Sequence, residues 1–129
     1  MIRFKHFIFS LIIFLGCKDP DLPIKDYPLI FMKEIEVTDQ GAKFIAEIKG
    51  LGNATIISYG FIWIENITQI EYSLSIDKTP QEGNIYAKVN TDLIEGRSYS
   101  VKPYIQTNDH TIYGDDLYFI SKGSSNPNN

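Results

Sequence analysis

Alternating apolar and polar residues over positions 98–107, entered through a glycine-centred turn, constrain the fold of this chain more than any other feature. The turn is centred on Gly96, within Leu-Ile-Glu-Gly-Arg-Ser-Tyr. After it Tyr99, Val101 and Ile105 are apolar, whereas the even positions are Ser, Lys, Tyr and Gln. A period of two is typical of a strand with one buried face. The stretch therefore predicts a corner that leads into a core strand of a β-sheet.

The same pattern recurs along most of the chain. Six further segments alternate in this way or are continuously apolar: 29–37, 43–49, 56–64, 68–76, 85–89 and 111–121. Residues that favour turns, chiefly Gly, Asn, Asp and Pro, stand between them. We find no helical period of any length. Seven short strands separated by turns predict an all-β fold, a sandwich of two sheets.

The segment 56–64 is apolar nearly throughout, so its pattern leaves two orientations open. In one, the aromatic residues Tyr59, Phe61 and Trp63 face the core. In the other, Ile62 and Ile64 do. We favour the aromatic set, because a single Trp in a sandwich is more often buried than exposed.

Two pieces of the sequence resemble a known family. The spacing of Leu93, Gly96 and Tyr99 resembles the corner at the entry to strand F of fibronectin type III domains, where the Leu packs inward and the Tyr hydroxyl bonds back to the backbone. Residues 59–63, Tyr-Gly-Phe-Ile-Trp, resemble a segment common in fibronectin-like domains of Bacteroidota surface proteins. The resemblance covers residues 29–121. It implies a seven-stranded β-sandwich that is fibronectin type III-like, and hence immunoglobulin-like.

The chain departs from this family pattern at several positions. Glu95 and Arg97 stand where the corner usually has Pro and Thr. Pro103 lies in the middle of the core strand and has no N–H to donate, so we expect a bulge and weakened pairing there. After that strand, Asn108 and Asp109 predict a tight hairpin.

The N-terminal sequence predicts where in the cell the protein is located. After a short basic start, residues 7–16 carry no charge. They are too few to span a bilayer, which takes about 20 residues, so residues 1–16 are predicted to be a signal peptide. Cys17, directly after Leu-Gly, resembles the lipobox cysteine of bacterial lipoproteins, although Phe14 stands where that motif usually has Leu. The resemblance implies cleavage before Cys17 and a diacylglyceryl group on its thiol.

The alternative for Cys17 is a chance thiol near the end of an ordinary signal peptide, although an exported domain seldom keeps one unpaired Cys. Lys18 and Asp19 are similar to the signal that sends Bacteroidota lipoproteins to the outer face of the outer membrane; the alternative is the general polarity of any tether. Residues 17–28, with three prolines, are predicted to be the lipidated Cys and a flexible tether. Residues 122–129 are predicted to be a disordered tail.

Composition disfavours several classes of function. Cleavage before Cys17 leaves 10 basic and 16 acidic residues, a net charge of −6 that disfavours nucleic acid as a partner. One histidine remains, His110, at a predicted hairpin tip where no neighbour would hold its ring. We therefore expect no catalytic residues, no metal and no cofactor. Asp109, Asp115 and Asp116 offer oxygen ligands for calcium, but carboxylates in turns are more often solvated.

Exposed aromatic residues are the remaining signal for function. The alternation places Tyr104 and Tyr118 outward, and Tyr113 lies near them. These three are the candidate binding aromatics; the alternative is that they only pair across strands.

The sequence thus predicts a lipid-anchored protein of the outer membrane, exposed at the cell surface, that binds an unidentified glycan or protein without catalysis. The alternative is a passive spacer or a structural subunit of a larger outer-membrane assembly.

Overall fold

A computed structural model describes residues 26–125 of the chain. These residues form eight strands: β1 (Leu29–Thr38), β2 (Gly41–Gly50), β3 (Ile56–Glu65), β4 (Glu71–Ser75), β5 (Gly83–Val89), β6 (Ser98–Thr107), β7 (Thr111–Tyr113) and β8 (Leu117–Ile120). Over this range the chain has no helix of the length and apolarity that crossing a membrane requires. The all-β prediction is confirmed. The predicted signal peptide, Cys17, Lys18 and Asp19 lie outside the described residues.

The strands form two antiparallel sheets. One sheet has three strands in the order β1–β2–β5. The other has five, in the order β4–β3–β6, with β7 and β8 sharing the remaining edge of β6. Buried side chains from both sheets meet in one hydrophobic core, which makes the fold a sandwich.

Aromatic rings join the two sheets across that core. The ring of Phe44, on β2, lies 5.7 Å from Phe61, 5.4 Å from Trp63 and 5.8 Å from Phe119, measured between centroids. Such pairs each stabilise the fold by about 0.5–1.5 kcal/mol beyond their buried area. Tyr59, Phe61 and Trp63 are all buried, so the aromatic orientation of β3 is confirmed.

The structure does not contain the bulge expected at Pro103. This residue stands opposite Phe61 in an unbroken stretch of the β3–β6 register, whose irregularity lies between Ile56 and Ser58 instead. The Pro103 carbonyl points away from β3, to the opposite edge of β6, where it accepts a hydrogen bond from the N–H of Gly114. In a strand the N–H and C=O of one residue point to the same side, so the N–H that Pro lacks is not needed by β3.

The predicted last strand, 111–121, is divided into β7 and β8, which is why the sandwich has eight strands where seven are expected. Gly114 follows β7 and lies against the core strand: a Cβ built there would be 2.7 Å from Cγ of Pro103 and 2.8 Å from the Ile30 carbonyl oxygen. β7 pairs with the end of β6 and β8 with its beginning. The gap between them falls opposite Lys102 and Pro103. Because Pro103 has no N–H, β6 cannot form a complete set of ladder hydrogen bonds there.

The strands run between two ends of the sandwich. At the entry end lie residues 26–28 and the loops 51–55, 76–82 and 108–110. At the far end lie the loops 39–40, 66–70 and 90–97 and the residues after β8. Because β1 has 10 residues, the two ends are about 30 Å apart.

Residues at the entry end hold the chain where it joins the domain. The Asp26 N–H donates to Oδ1 of Asn53, and the Asn53 N–H donates to the Asp26 carbonyl, both at 2.9 Å. The Tyr27 ring packs 4.3 Å from the ring of His110, and its hydroxyl donates to Oδ2 of Asp109 at 3.3 Å. Residues 26–28, predicted to be the end of the tether, are therefore part of the folded domain.

The first residues of the predicted tail are also held. The Ser125 N–H donates to the Gln40 carbonyl at 2.9 Å, and the Ser124 hydroxyl lies 3.4 Å from the Leu93 carbonyl. These contacts join Ser124 and Ser125 to the far end, and the disorder predicted for residues 122–129 stays a prediction. Residues 126–129 lie outside the described range.

Candidate binding surface

The predicted corner lies at the far end. Leu93 is buried, and Gly96 has a φ of 84°, which glycine adopts without strain. The Tyr99 hydroxyl accepts from the Ile94 N–H at 2.9 Å and donates to the Asp92 carbonyl at 3.4 Å. These are bonds to the backbone of the kind that the Leu-x-x-Gly-x-x-Tyr spacing predicts. Burial raises the pKa of Tyr99, which keeps its hydroxyl protonated and able to donate.

A buried carboxylate, which the sequence did not single out, holds the neighbouring turn. Glu65 is 3% exposed and ends β3. It accepts hydrogen bonds from the Thr68 hydroxyl, from the N–H groups of Thr68 (2.6 Å) and Ile67 (3.3 Å), and from Nη1 of Arg97 at 3.4 Å. These bonds, first those from Thr68, lower the pKa of Glu65 to about 2 against the opposing effect of burial. Its role is structural, because every partner lies within the turn or beside it.

The three candidate tyrosines all lie on the outer face of the five-stranded sheet. Tyr113 is 52% exposed and Tyr118 is 68% exposed, whereas Tyr104 is half-buried. Tyr104 and Tyr113 stand directly opposite each other on β6 and β7, and Tyr118 stands opposite Ser100. Cross-strand pairing thus accounts for Tyr104 and Tyr113. It does not account for Tyr118, most of whose ring is exposed to solvent.

A lysine lies between the two levels of tyrosines. Ser100 and Tyr104 are four residues apart on one strand, so Tyr118 and Tyr113 mark positions about 13 Å apart along the sheet. The ammonium of Lys102 lies 4.5 Å from the centroid of the Tyr113 ring, a cation–π distance. We name Lys102, Tyr104, Tyr113, Tyr118 and Ile120 the tyrosine face; Ile120, 66% exposed, extends it toward the far end.

The tyrosine face presents exposed aromatic rings beside a lysine. Aromatic rings with exposed faces pack on the apolar faces of sugars or on peptide side chains, and a lysine adds a hydrogen-bond donor. The register places no carboxylate or histidine opposite Tyr104 or Tyr118.

Within residues 26–125, no group of three His, Cys, Asp or Glu side chains is arranged to hold a metal ion. Asp109 accepts a hydrogen bond from Tyr27. His110, expected to have no neighbour for its ring, packs against the Tyr27 ring instead. The expectation was wrong because it treated residues 17–28 as a free tether, and Tyr27 comes from that segment.

Comparisons with known proteins add little. No protein-family model matches the chain, and no curated protein matches it significantly. A solved structure described as "Myokine structure" is similar over 76% of this chain and 98% of that chain, with 10% sequence identity and a TM-score of 0.47. A likeness of this size carries no argument about family or function.

Proposed function

We propose that the chain is a non-catalytic lipoprotein of the outer membrane, exposed at the cell surface, whose β-sandwich binds a glycan or a protein through the tyrosine face. The observation that carries the proposal is the exposure of Tyr113 and Tyr118 beside Lys102 on one sheet face. Exposed aromatic groups on a small sandwich are a feature of recognition surfaces. The fold itself is compatible with many functions and adds no weight.

We also propose that the sandwich is fibronectin type III-like. The Tyr99 hydrogen bonds across the corner support this. If β3, β6 and the divided β7–β8 are strands C, F and G, the larger sheet has the C–F–G order of immunoglobulin-like sandwiches. The pair β7–β8 then counts as one strand, which accounts for the eighth.

The anchor is a proposal that rests on the lipobox resemblance at Cys17. Eight residues, 18–25, separate Cys17 from the first described residue. Even fully extended they reach about 30 Å at most. A lipid on Cys17 would hold the entry end near the outer membrane and leave the far end directed away from it. Replacing Cys17 with Ser should release the protein from the membrane fraction, and unchanged partitioning would contradict the anchor.

The binding proposal is tested with the full-length protein in detergent, on a glycan array and by pull-down from cell-surface extracts. The variant Tyr113→Ser/Tyr118→Ser removes both exposed rings of the tyrosine face. The matched control is Phe31→Ser, which removes an exposed ring (41%) from the other sheet. We expect a ligand whose capture falls about tenfold or more in the double variant and is unchanged in the control. A ligand bound equally by all three proteins would contradict the proposal.

A second candidate is a passive spacer or a subunit of a larger outer-membrane assembly. The direct opposition of Tyr104 and Tyr113 favours it, because cross-strand aromatic pairs stabilise sheets without any ligand. On this hypothesis the double variant loses only stability, and whatever the unaltered protein captures it captures equally well. The same array and pull-down separate the two candidates.

A further inference from the structure

A polar pocket lies at the far end of the three-stranded sheet, away from the tyrosine face. Its volume is ≈ 340 Å³, within the range of small-ligand sites. The side chains that give it its chemistry are Glu36, Gln40, Lys43, Lys88 and Asn90. Nothing in the sequence patterns marked these residues, because they come from three strands and two loops.

Two lysines face each other at this pocket. Lys43 on β2 stands directly opposite Lys88 on β5, and Glu36 of β1 stands on the other side of Lys43. The residues that flank each lysine are buried, so both lysines belong to the outer face of the sheet. Like charges directly opposite each other destabilise a sheet. The repulsion between the two lysines therefore lowers the stability of the sheet, and Glu36 opposite Lys43 offsets only part of it.

Other lysines of the same sheet form ion pairs within the chain. Lys33 and Lys49 both form ion pairs with Glu47, at 3.7 and 3.2 Å. Within residues 26–125, neither Lys43 nor Lys88 has a carboxylate within ion-pair distance. The two lysines of this sheet without an ion pair are thus the ones that line the pocket.

Contacts within the chain shape the surroundings of the pocket. The ammonium of Lys43 lies 4.6 Å from the centroid of the ring of Tyr86, beside the pocket. At Gly41 the backbone approaches β5 so closely that a Cβ would lie 1.9 Å from the Val89 carbonyl oxygen. The hydrogen bond from the Ser125 N–H to the Gln40 carbonyl closes the rim. A preformed site binds without the cost of ordering its walls.

We propose that this pocket is a second binding site, which takes an acidic sugar with its single carboxylate between Lys43 and Lys88. Two ammonium groups and the Glu36 carboxylate give the pocket one net positive charge, which suits a monoanion and disfavours polyanions. Glu36 accepts hydrogen bonds from hydroxyl groups, and the amides of Gln40 and Asn90 both donate and accept. A carboxylate surrounded by hydroxyl groups matches that set.

The test uses methyl β-D-glucuronide as the probe and methyl β-D-glucoside, which lacks the carboxylate, as its neutral counterpart. Each is titrated into isotope-labelled full-length protein while backbone amide resonances are recorded. We expect the glucuronide alone to give saturable shifts at residues 40, 43, 88 and 90. Equal shifts with the glucoside, or no saturable shift with either sugar, would overturn the proposal.

Two variants separate a specific site from general charge attraction. Lys43→Gln/Lys88→Gln should weaken glucuronide binding about tenfold or more, because it removes both charge-assisted hydrogen bonds. The matched control, Lys33→Gln/Lys49→Gln, makes the same change in net charge on the same sheet and should alter affinity less than about twofold, since these lysines are not at the pocket. Equal losses in the two variants would overturn the proposal, as would tighter binding of a pentaglutamate peptide at the same residues. The tyrosine face is on the other sheet, so either site can fail without the other.

Discussion

The loops at the two ends of the sandwich are held by contacts that differ in burial. At the far end the groups that hold the loops are buried: Tyr99 is 1% exposed and Glu65 is 3% exposed. At the entry end they lie at the surface, where Tyr27 is 37% exposed and packs against an exposed His110. Loss of a buried hydrogen bond leaves a desolvated group without a partner, whereas surface contacts are replaced by water. The far end should therefore be rigid, and the entry end should open at a much smaller free-energy cost.

This difference bears on the proposed attachment at Cys17. The proposed acidic-sugar pocket belongs to the rigid end, and Tyr118 and Ile120 approach that end. The contacts at the entry end fix how the chain leaves the domain. An anchored binding module benefits from a rigid end that faces its ligand.

The largest expected difference between the ends concerns two glycines that each meet backbone atoms of another segment. A Cβ at Gly41 would lie 1.9 Å from the Val89 carbonyl oxygen, and one at Gly52 would lie 2.3 Å from the Asp26 carbonyl oxygen. Gly41→Ala should destabilise the fold by about 3 kcal/mol, because neither strand can move away. Gly52→Ala should destabilise it by about 1 kcal/mol, because the short segment before β1 can shift. Urea unfolding measures both, and equal losses would remove the contrast.

Tyr99→Phe should destabilise the protein by about 1–3 kcal/mol. The change deletes only the hydroxyl and leaves the Ile94 N–H without its acceptor. The control is Tyr118→Phe, which deletes a hydroxyl from an exposed ring and should change stability by less than about 0.5 kcal/mol. A silent Tyr99→Phe would show that the corner does not stabilise the far end.

Glu65 should make stability depend on pH in the acid range. Its pKa is about 2 in the folded protein and near the ordinary 4.5 when unfolded, so the stability that its hydrogen bonds add is complete above pH 4.5. That stability is lost as the pH falls from about 4.5 to about 2. Urea unfolding at pH 7 and pH 3 should show this loss. Glu65→Gln should have a smaller pH dependence over the same range, and an identical profile would contradict the assignment.

The smallest effect is expected at the entry end. Tyr27→Ala removes the ring that packs on His110 and the hydroxyl that bonds to Asp109, and should destabilise the fold by about 0.5 kcal/mol. Hydrogen exchange should show faster exchange at the Asn53 amide with no change at Ile94. If exchange increased at both ends, the entry end would be part of the same cooperative unit as the far end.

Alternation along the chain was enough to predict which side of most strands is buried. The inward sets of β2 and β5 meet in the core because each has one apolar face, and the period of two reports that face directly. The aromatic side of β3 followed from the tendency of Trp63 to be buried. The outward positions of Tyr104 and Tyr118 followed from the same rule.

What the sequence could not show depends on contacts between distant segments. The pattern gives no indication of which edge of β6 the missing N–H of Pro103 faces, so a bulge was expected where none exists. A Glu at the end of an apolar strand resembles a solvated charge, and only the fold brings Arg97 to Glu65. The pairing of Lys43 with Lys88 depends on the β2–β5 register, which the sequence does not fix.

The central claim is that the tyrosine face is the surface at which this protein binds its ligand. The most direct measurement is an amide chemical-shift map of the full-length protein, titrated with the glycan or protein that the array and pull-down select. The account predicts saturable shifts concentrated at Lys102, Tyr104, Tyr113 and Tyr118. Shifts confined to the entry end, or spread over the three-stranded sheet with none on β7 and β8, would contradict it.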